Sequence, residues 1–246
     1  SGMSAAAICA RTCRKLGKTA KIAVLEKNAV LGKKLSATGN GKCNMTNLNM
    51  DATHFNCKDR GFIEELLSVY PVDMVLSFFE GIGIKTVSKN GYVYPMSEQA
   101  KSVTECLERE VRHLGISVFT ECEVKNVDLQ NGGFSVECAT KDGAVWIFAK
   151  EVIVALGGPA SVYGATDMGE RIFKDFGLKY TCLKPALTAL CSKDKILKKM
   201  AGVRLQAGIT LMTDDAHSDT GEIIFNDGSV SGIPVFQISR FMPENG

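Results

Sequence analysis

SGMSAAAICARTCRKLGKTAKIAVLE, residues 1 to 26, reads as a helix running into a buried strand. From Met3 to Leu16 small residues (Ala5, Ala6, Ala7, Ala10) alternate with Ile8 and Leu16, the composition of a helix that packs closely on a sheet. Gly17 ends it. Ala20 to Glu26 is then a short apolar run bounded by polar residues, a pattern of buried parallel strands, and it closes on an acid. Helix followed by strand is half of a βαβ unit.

A dinucleotide fingerprint consists of a strand, a Gly-x-Gly-x-x-Gly turn, a helix, and a second strand ending in Asp or Glu. Ser1-Gly2 fits the last two positions of that turn, Gly2 being the third glycine, the one that allows close helix packing. Glu26 follows 24 residues later, near the usual spacing of about 20 for a carboxylate that accepts ribose hydroxyls. Those two features by themselves recur by chance in α/β proteins, so the loop behind them matters more. Leu31 to Asn47 (LGKKLSATGNGKCNMTN) is too long for a plain connection and gathers glycines, lysines and small polar side chains suited to wrapping a pyrophosphate. Further on, Glu151 to Leu156 (EVIVAL) reads as another continuous apolar strand, stopping at Gly157-Gly158-Pro159, where a missing Cβ lets the main chain approach a ligand.

Between these landmarks the pattern predicts helices over 59–70 and 72–80 and a hairpin from Ile84 to Tyr94 turning at Lys89-Asn90-Gly91. Ser97 is placed to cap the next helix, whose Val103, Leu107, Val111 and Leu114 form one apolar stripe closed by Gly115. Strand signals at 117–119, 123–129, 134–139 and 145–148 make an antiparallel meander. A helix is predicted over 167–176. From Leu183 the chain turns β-rich and less regular, which sets a boundary there: 1–183 as a cofactor domain, 184–246 as the start of a second, β-rich domain.

The composition, 45% apolar and 23% charged with 24 Gly and 6 Pro, is that of a globular chain. A net charge of +2 with interspersed signs provides no field for a polyanion, so nucleic acid is not an expected partner. Lys193, Lys195, Lys198 and Lys199 read as a solvated helix face. No apolar run reaches the roughly 20 residues of a membrane span. Nine cysteines without a CxxC pair or His-containing zinc spacing fit thiols kept reduced in a cytosol, so a cytoplasmic setting and no metal site are expected. Cys9 and Cys13 are read as packing residues; His113 as a surface residue; His54, in the main, as structural. Tyr92 and Tyr94 share one face of the hairpin.

The strings GKKLSATGNGKCNMTN, GYVYP (91–95), VALGGPASVYGATDMG (154–169), LKPALTAL (183–190) and GEIIFNDGSVSGIPV (221–235) occur in the order of one family. Together they resemble the bacterial two-domain FAD flavoproteins that include aminoacetone oxidase-type enzymes and the bile-acid-inducible 3-dehydro-bile-acid reductase. The resemblance runs from Ser1 to about Arg240. It implies a Rossmann-type α/β domain with an antiparallel meander inserted, followed by part of a β-rich second domain, and it implies FAD. Glu26 would meet the adenosine ribose, and Gly2 and Lys27 are counted with it among the cofactor-binding residues. Lys33, Lys34, Thr38, Gly39, Asn40, Gly41, Lys42, Cys43 and Asn44 would line pyrophosphate and flavin, Val124 the adenine by its backbone, and Ala155, Gly157 and Gly158 would pass close to the cofactor. Lys42 stands where the family usually has Arg, a point charge in place of a planar fork. Family members also begin with a strand and two further glycines and continue past residue 246. The chain is therefore expected to be truncated at both ends and to bind FAD poorly when expressed alone.

Three functions remain open at this level. The leading one is an FAD-dependent oxidoreductase on a small organic substrate, reducing an enone with NAD(P)H or oxidising an amine with oxygen. The others are a flavin-free NAD(P)-dependent dehydrogenase and a flavin-binding module without turnover. No catalytic triad or metal-spaced histidine set is present, and the resemblance names no catalytic residue. Oligomeric state is not legible.

Overall fold

The computed structural model describes residues 1–159, 166–181, 183–213 and 215–243. Helix α1 (Gly2–Lys15) buries Ala6, Ala7 and Ala10 and ends in a Schellman turn, where Gly17 at φ 65° donates to Arg14 and Lys18 donates to Cys13. Strand β1 (Ala23–Leu25) follows. Helix α2 (Lys33–Ser36), a 3-10 turn at Thr38–Gly41 and the two-residue strand β2 (Thr46–Asn47) make up the long loop. After a second 3-10 turn at Ala52–His54 come α3 (Arg60–Val69), α4 (Val72–Glu80), β3 (Thr86–Lys89) and β4 (Tyr92–Pro95). Asp59 caps α3 by accepting from Phe62 N. Helix α5 (Ala100–His113) buries the predicted stripe, Val103, Leu107 and Val111 with Leu114 behind them, and ends in a second Schellman turn at Gly115.

Ser97 does not cap that helix. Gln99 holds the cap position without a side-chain bond, and the Ser97 hydroxyl lies 2.7 Å from Ser102 Oγ instead. Strand β5 (Ser117–Phe119) runs parallel to β1, with Val24 opposite Val118. Then β6 (Glu123–Gln130), β7 (Gly133–Thr140) and β8 (Gly143–Ala149) form the expected antiparallel meander, followed by α6 (Met168–Asp175).

Three layers result, because alternate residues of β1 and β5 face opposite ways. Val24 and Val118 pack with Ala6, Ala7, Ala10, Val111 and Leu114 on the α1 and α5 side. Leu25 joins Cys122, Val127, Val136, Cys138, Met168 and Ile172 on the meander side. A third cluster, Cys43, Ile82, Ile84, Ala100, Val103 and Leu107, fills the other flank of α5. This is the mixed α/β architecture of a Rossmann-like parallel sheet accompanied by antiparallel sheets.

The expected strand at Glu151–Leu156 is absent. An extended run becomes a strand only when a neighbour completes its hydrogen-bond ladder, and β1 is paired on its β5 side alone. Val152 and Leu156 pack on the meander cluster, while Ile153 and Val154 are 66% and 45% exposed.

The chain divides into two compact units, Ser1–Leu178 and Lys179–Gly246. In the second, β9 (Leu190–Cys191), helix α7 (Ile196–Met200), β10 (Arg204–Leu211), β11 (His217–Asn226), β12 (Ser229–Ser231) and helix α8 (Ile233–Ser239) build an antiparallel sheet ordered β10-β11-β12-β9. Helix α8 buries Val235 and Ile238, and Ser239 Oγ accepts from Thr188 N at 3.2 Å. Among the described residues no helix is long and apolar enough to cross a membrane.

Candidate functional site

Glu26 follows the last residue of β1, and its backbone is clamped on both sides. Its N–H donates to Phe119 O at 2.9 Å, and its carbonyl accepts from Cys122 N at 3.0 Å. The side chain is held as well: Oε1 accepts from Asn28 N at 2.8 Å and from Asn28 Nδ2 at 2.6 Å. The half-buried carboxylate therefore has one defined orientation. Lys27 beside it is exposed.

Leu25 and Leu156, which directly precede Glu26 and Gly157, pack against the same buried cluster. Gly157 has φ 78° and is exposed; its carbonyl lies beside Gly169 in the first turn of α6. Gly2 opens α1 next to Ala155, where a methyl carbon on Gly2 would meet Ala155 Cβ at 3.6 Å. That is ordinary van der Waals contact, so the packing here does not itself demand glycine. The first turn of α1 carries no acidic residue, and its free N–H groups and the positive end of its dipole favour an anion.

Val124 lies two residues beyond Cys122, the donor to Glu26, and pairs with Cys138. The register of β6 slips between Val124 and Asn126. Such a bulge frees main-chain groups from the ladder at that point.

The loop 31–45 is built around close backbone approaches. At Gly32, φ 68°, an added Cβ would run into Thr104 and meet Met3 Cε at 3.2 Å, so the start of the loop lies beside the first turn of α1. In the 3-10 turn that contains Gly39, Asn40 and Gly41, Thr38 Oγ1 donates to Leu35 O at 2.6 Å, and Cys43 N donates to Thr38 O at 3.0 Å. At Gly39, φ 56°, an added Cβ would stand 2.6 Å from Asn44 N. Met45 N then donates to Val93 O at 2.8 Å, so the hairpin β3–β4 anchors the loop's far end.

Individual side chains of the loop differ in what they offer. Lys33 and Lys34 are exposed. Asn44 is exposed too. Lys42 is drawn aside by Glu98, 3.0 Å away, which also binds Lys89; these two lysines hold the Glu98 carboxyl below its usual range. Cys43 is 3% exposed among Ile82, Ile84 and Val103, and burial pushes its thiol up, with a smaller opposing effect of Thr38. That environment keeps the sulfur protonated and makes the side chain a packing element. Among the described residues no cluster of His, Cys, Asp and Glu could hold a metal ion.

The residues fit an adenine dinucleotide at the level of chemistry: an oriented carboxylate at a strand end, an uncapped helix start, and a loop whose glycines bring main chain close to main chain. Sequence reasoning missed Asn28 and Thr104. Asn28 had a signal, since Asn two residues after an acid readily closes a local side-chain turn. Thr104, buried on α5, bonds Ala100 O and lies 3.1 Å from Ser36 Oγ; a single polar residue beside an apolar stripe gives no such hint.

Residues 1–239 match the HI0933-like protein Rossmann domain. The chain is 38% identical over 224 residues to the 3-dehydro-bile acid delta(4,6)-reductase of Clostridium scindens, covering 90% of this chain and 54% of that protein. It is 27% identical over 241 residues to the ribosomal RNA dihydrouridine synthase of Haemophilus influenzae, covering 97% of this chain and 59% of that one. The chain thus spans little more than half the length of the curated relatives it matches. Among solved structures, Thermovibrio ammonificans THI4 superposes with a TM-score of 0.45 at 15% identity, covering 95% of this chain and 73% of that one. A flavoprotein/dehydrogenase from Cytophaga hutchinsonii gives 0.37 at 14%, covering 74% and 42%.

Proposed function

Because the chain belongs to the HI0933-like family, to whose Rossmann domain residues 1–239 correspond, we propose that it binds FAD and serves an oxidoreductase that reduces a carbon–carbon double bond conjugated to a carbonyl. The observation that carries the cofactor half is the Glu26 carboxylate, held by Asn28 just beyond the end of β1. In this reading residues 1–183 form the FAD domain and 184–246 begin the β-rich substrate domain.

Bound FAD would supply hydride transfer, the part of the chemistry that protein side chains do not provide. The chain's own residues bind and orient. Glu26 accepts from the adenosine ribose, the start of α1 and the loop 33–44 face the pyrophosphate, and the Val124 bulge offers main-chain groups to the adenine. Ala155, Gly157 and Gly158 give the cofactor a surface with little side chain. Lys33 and Lys34 are the loop cations in reach of phosphate, since Lys42 is engaged by Glu98.

Two relatives support the reaction class. A 3-dehydro-bile acid delta(4,6)-reductase and a dihydrouridine synthase bear names for the same event, saturation of a double bond conjugated to a carbonyl. The higher identity to the former favours a small, apolar enone as substrate; NAD(P)H as hydride donor and a cytoplasmic setting belong to the same proposal. The test is direct. The intact protein, purified, is expected to absorb near 450 nm, to lose that band on anaerobic addition of NADH or NADPH, and to regain it with a steroidal dienone. A colourless protein that still oxidises NAD(P)H would establish a flavin-free dehydrogenase; oxygen uptake with an amine, and none of the enone turnover, would establish an amine oxidase; a coloured protein inert to every donor would be a binding module.

A further inference from the structure

The Glu26 carboxylate is asymmetric. Both hydrogen bonds from Asn28 end on Oε1, which accounts for both lone-pair sites of that oxygen, and Oε2 accepts from no described residue. Asn28 is itself fixed, because its carbonyl accepts from Glu121 N at 3.1 Å, in the same connection whose Cys122 binds Glu26 O. Glu121 adopts φ 51°, a left-handed conformation that aims its N–H at Asn28. The turn 26–28 and the turn 119–122 are thus laced together by three main-chain hydrogen bonds, and Asn28 reaches the carboxylate twice, through its backbone N–H and through its side-chain amide, of which only the second is removed by substitution.

We propose that Asn28 is a positioning residue for ligand binding: it saturates Oε1 of Glu26 and presents Oε2 alone to the ribose hydroxyls of an adenine dinucleotide. This rests on the reading that Glu26 meets that ribose. A carboxylate whose rotamer is fixed before binding loses less conformational freedom on meeting the ligand. An amide is suited to the task where a second carboxylate is not, since Asp at this position would set two like charges side by side.

The experiment measures FAD affinity of the intact protein by quenching of flavin fluorescence, for the wild type, Asn28→Ala, Glu26→Ala and the double variant. Competition with ADP and with 2′,3′-dideoxy-ADP supplies a second readout. Asn28→Ala is expected to weaken FAD by about tenfold, the order of a hydrogen bond to a charged group. In the Glu26→Ala background the same change is expected to have less than a twofold effect, and Asn28→Ser, which retains a donor, to recover part of the loss. The wild type is expected to prefer ADP over its dideoxy analogue, and Asn28→Ala to narrow that preference. Equal and additive losses in both backgrounds, or equal weakening of ADP and dideoxy-ADP, would overturn the positioning role while leaving Glu26 as the ribose ligand. Wild-type affinity in Glu26→Ala would overturn both.

Discussion

A methyl carbon on Gly39 would stand 2.6 Å from the backbone nitrogen of Asn44, closer than real side chains approach. With φ at 56° as well, a conformation that favours glycine, the position opposes a side chain on two independent grounds. Gly39→Ala is expected to cost about 1–3 kcal/mol of loop stability and to weaken FAD, read as increased proteolysis between residues 33 and 45 and as a lower cofactor affinity. Gly41→Ala meets open space, has only its φ of 81° to oppose it, and should have the smaller effect.

Gly2 gives the opposite expectation. Alanine there would meet Ala155 at 3.6 Å without displacement, and alanine exceeds glycine in helix propensity by up to about 1 kcal/mol in a helix interior, less at an end. Gly2→Ala should leave the melting temperature unchanged or slightly raised. If it also leaves FAD binding intact, the ligand does not approach the Cβ direction of residue 2; a selective loss of FAD would locate the cofactor there.

Arg11 and Glu110 join α1 to α5 at 2.8 Å, with Glu110 largely shielded and Phe78 under the guanidinium at 5.8 Å. Removing the arginine leaves a shielded carboxylate without its cation. Arg11→Met is expected to destabilise by about 1–3 kcal/mol, measured as a shift in urea midpoint. Arg112→Met, an exposed arginine whose half-buried partner Glu108 lies one turn away on the same helix, should shift it less.

The thiols divide by burial. Burial, reinforced by the hydrogen bond and charge of neighbouring Cys122 and then by Glu137, pushes the Cys138 thiol up to about 12 from the ordinary 9.0. Since the folded value exceeds the unfolded one, the associated stability is complete below about pH 9 and is lost as pH rises toward 12. Urea midpoints of the wild type and Cys138→Ala should therefore converge as pH increases above 9. At pH 8 iodoacetamide should label exposed Cys57 and Cys191 first, and Cys43, Cys122 and Cys138 only on unfolding.

Most elements were legible because they carry a local signal. The α5 stripe, the turns at Gly17 and Gly115 and the meander each follow from spacing or from a residue that tolerates positive φ. Where the reading failed, the deciding term was non-local. Glu151–Leu156 has the composition of a strand, yet a ladder partner on another part of the chain is what makes one. Ser97 has the chemistry of a cap but sits two residues before the cap position.

Residues 1 to 26 and the loop behind them were enough to determine a Rossmann-type unit and to single out Glu26, because hydrophobic period and glycine placement are written along the chain. The partners of each side chain were decided only by tertiary structure. That Oε1 of Glu26 is occupied by Asn28, that Cys43 is buried under α5, and that Gly39 bears on Asn44 all depend on how the backbone folds back on itself. Hydrogen bonds and steric contact act over about 3 Å in space, whatever the separation in sequence.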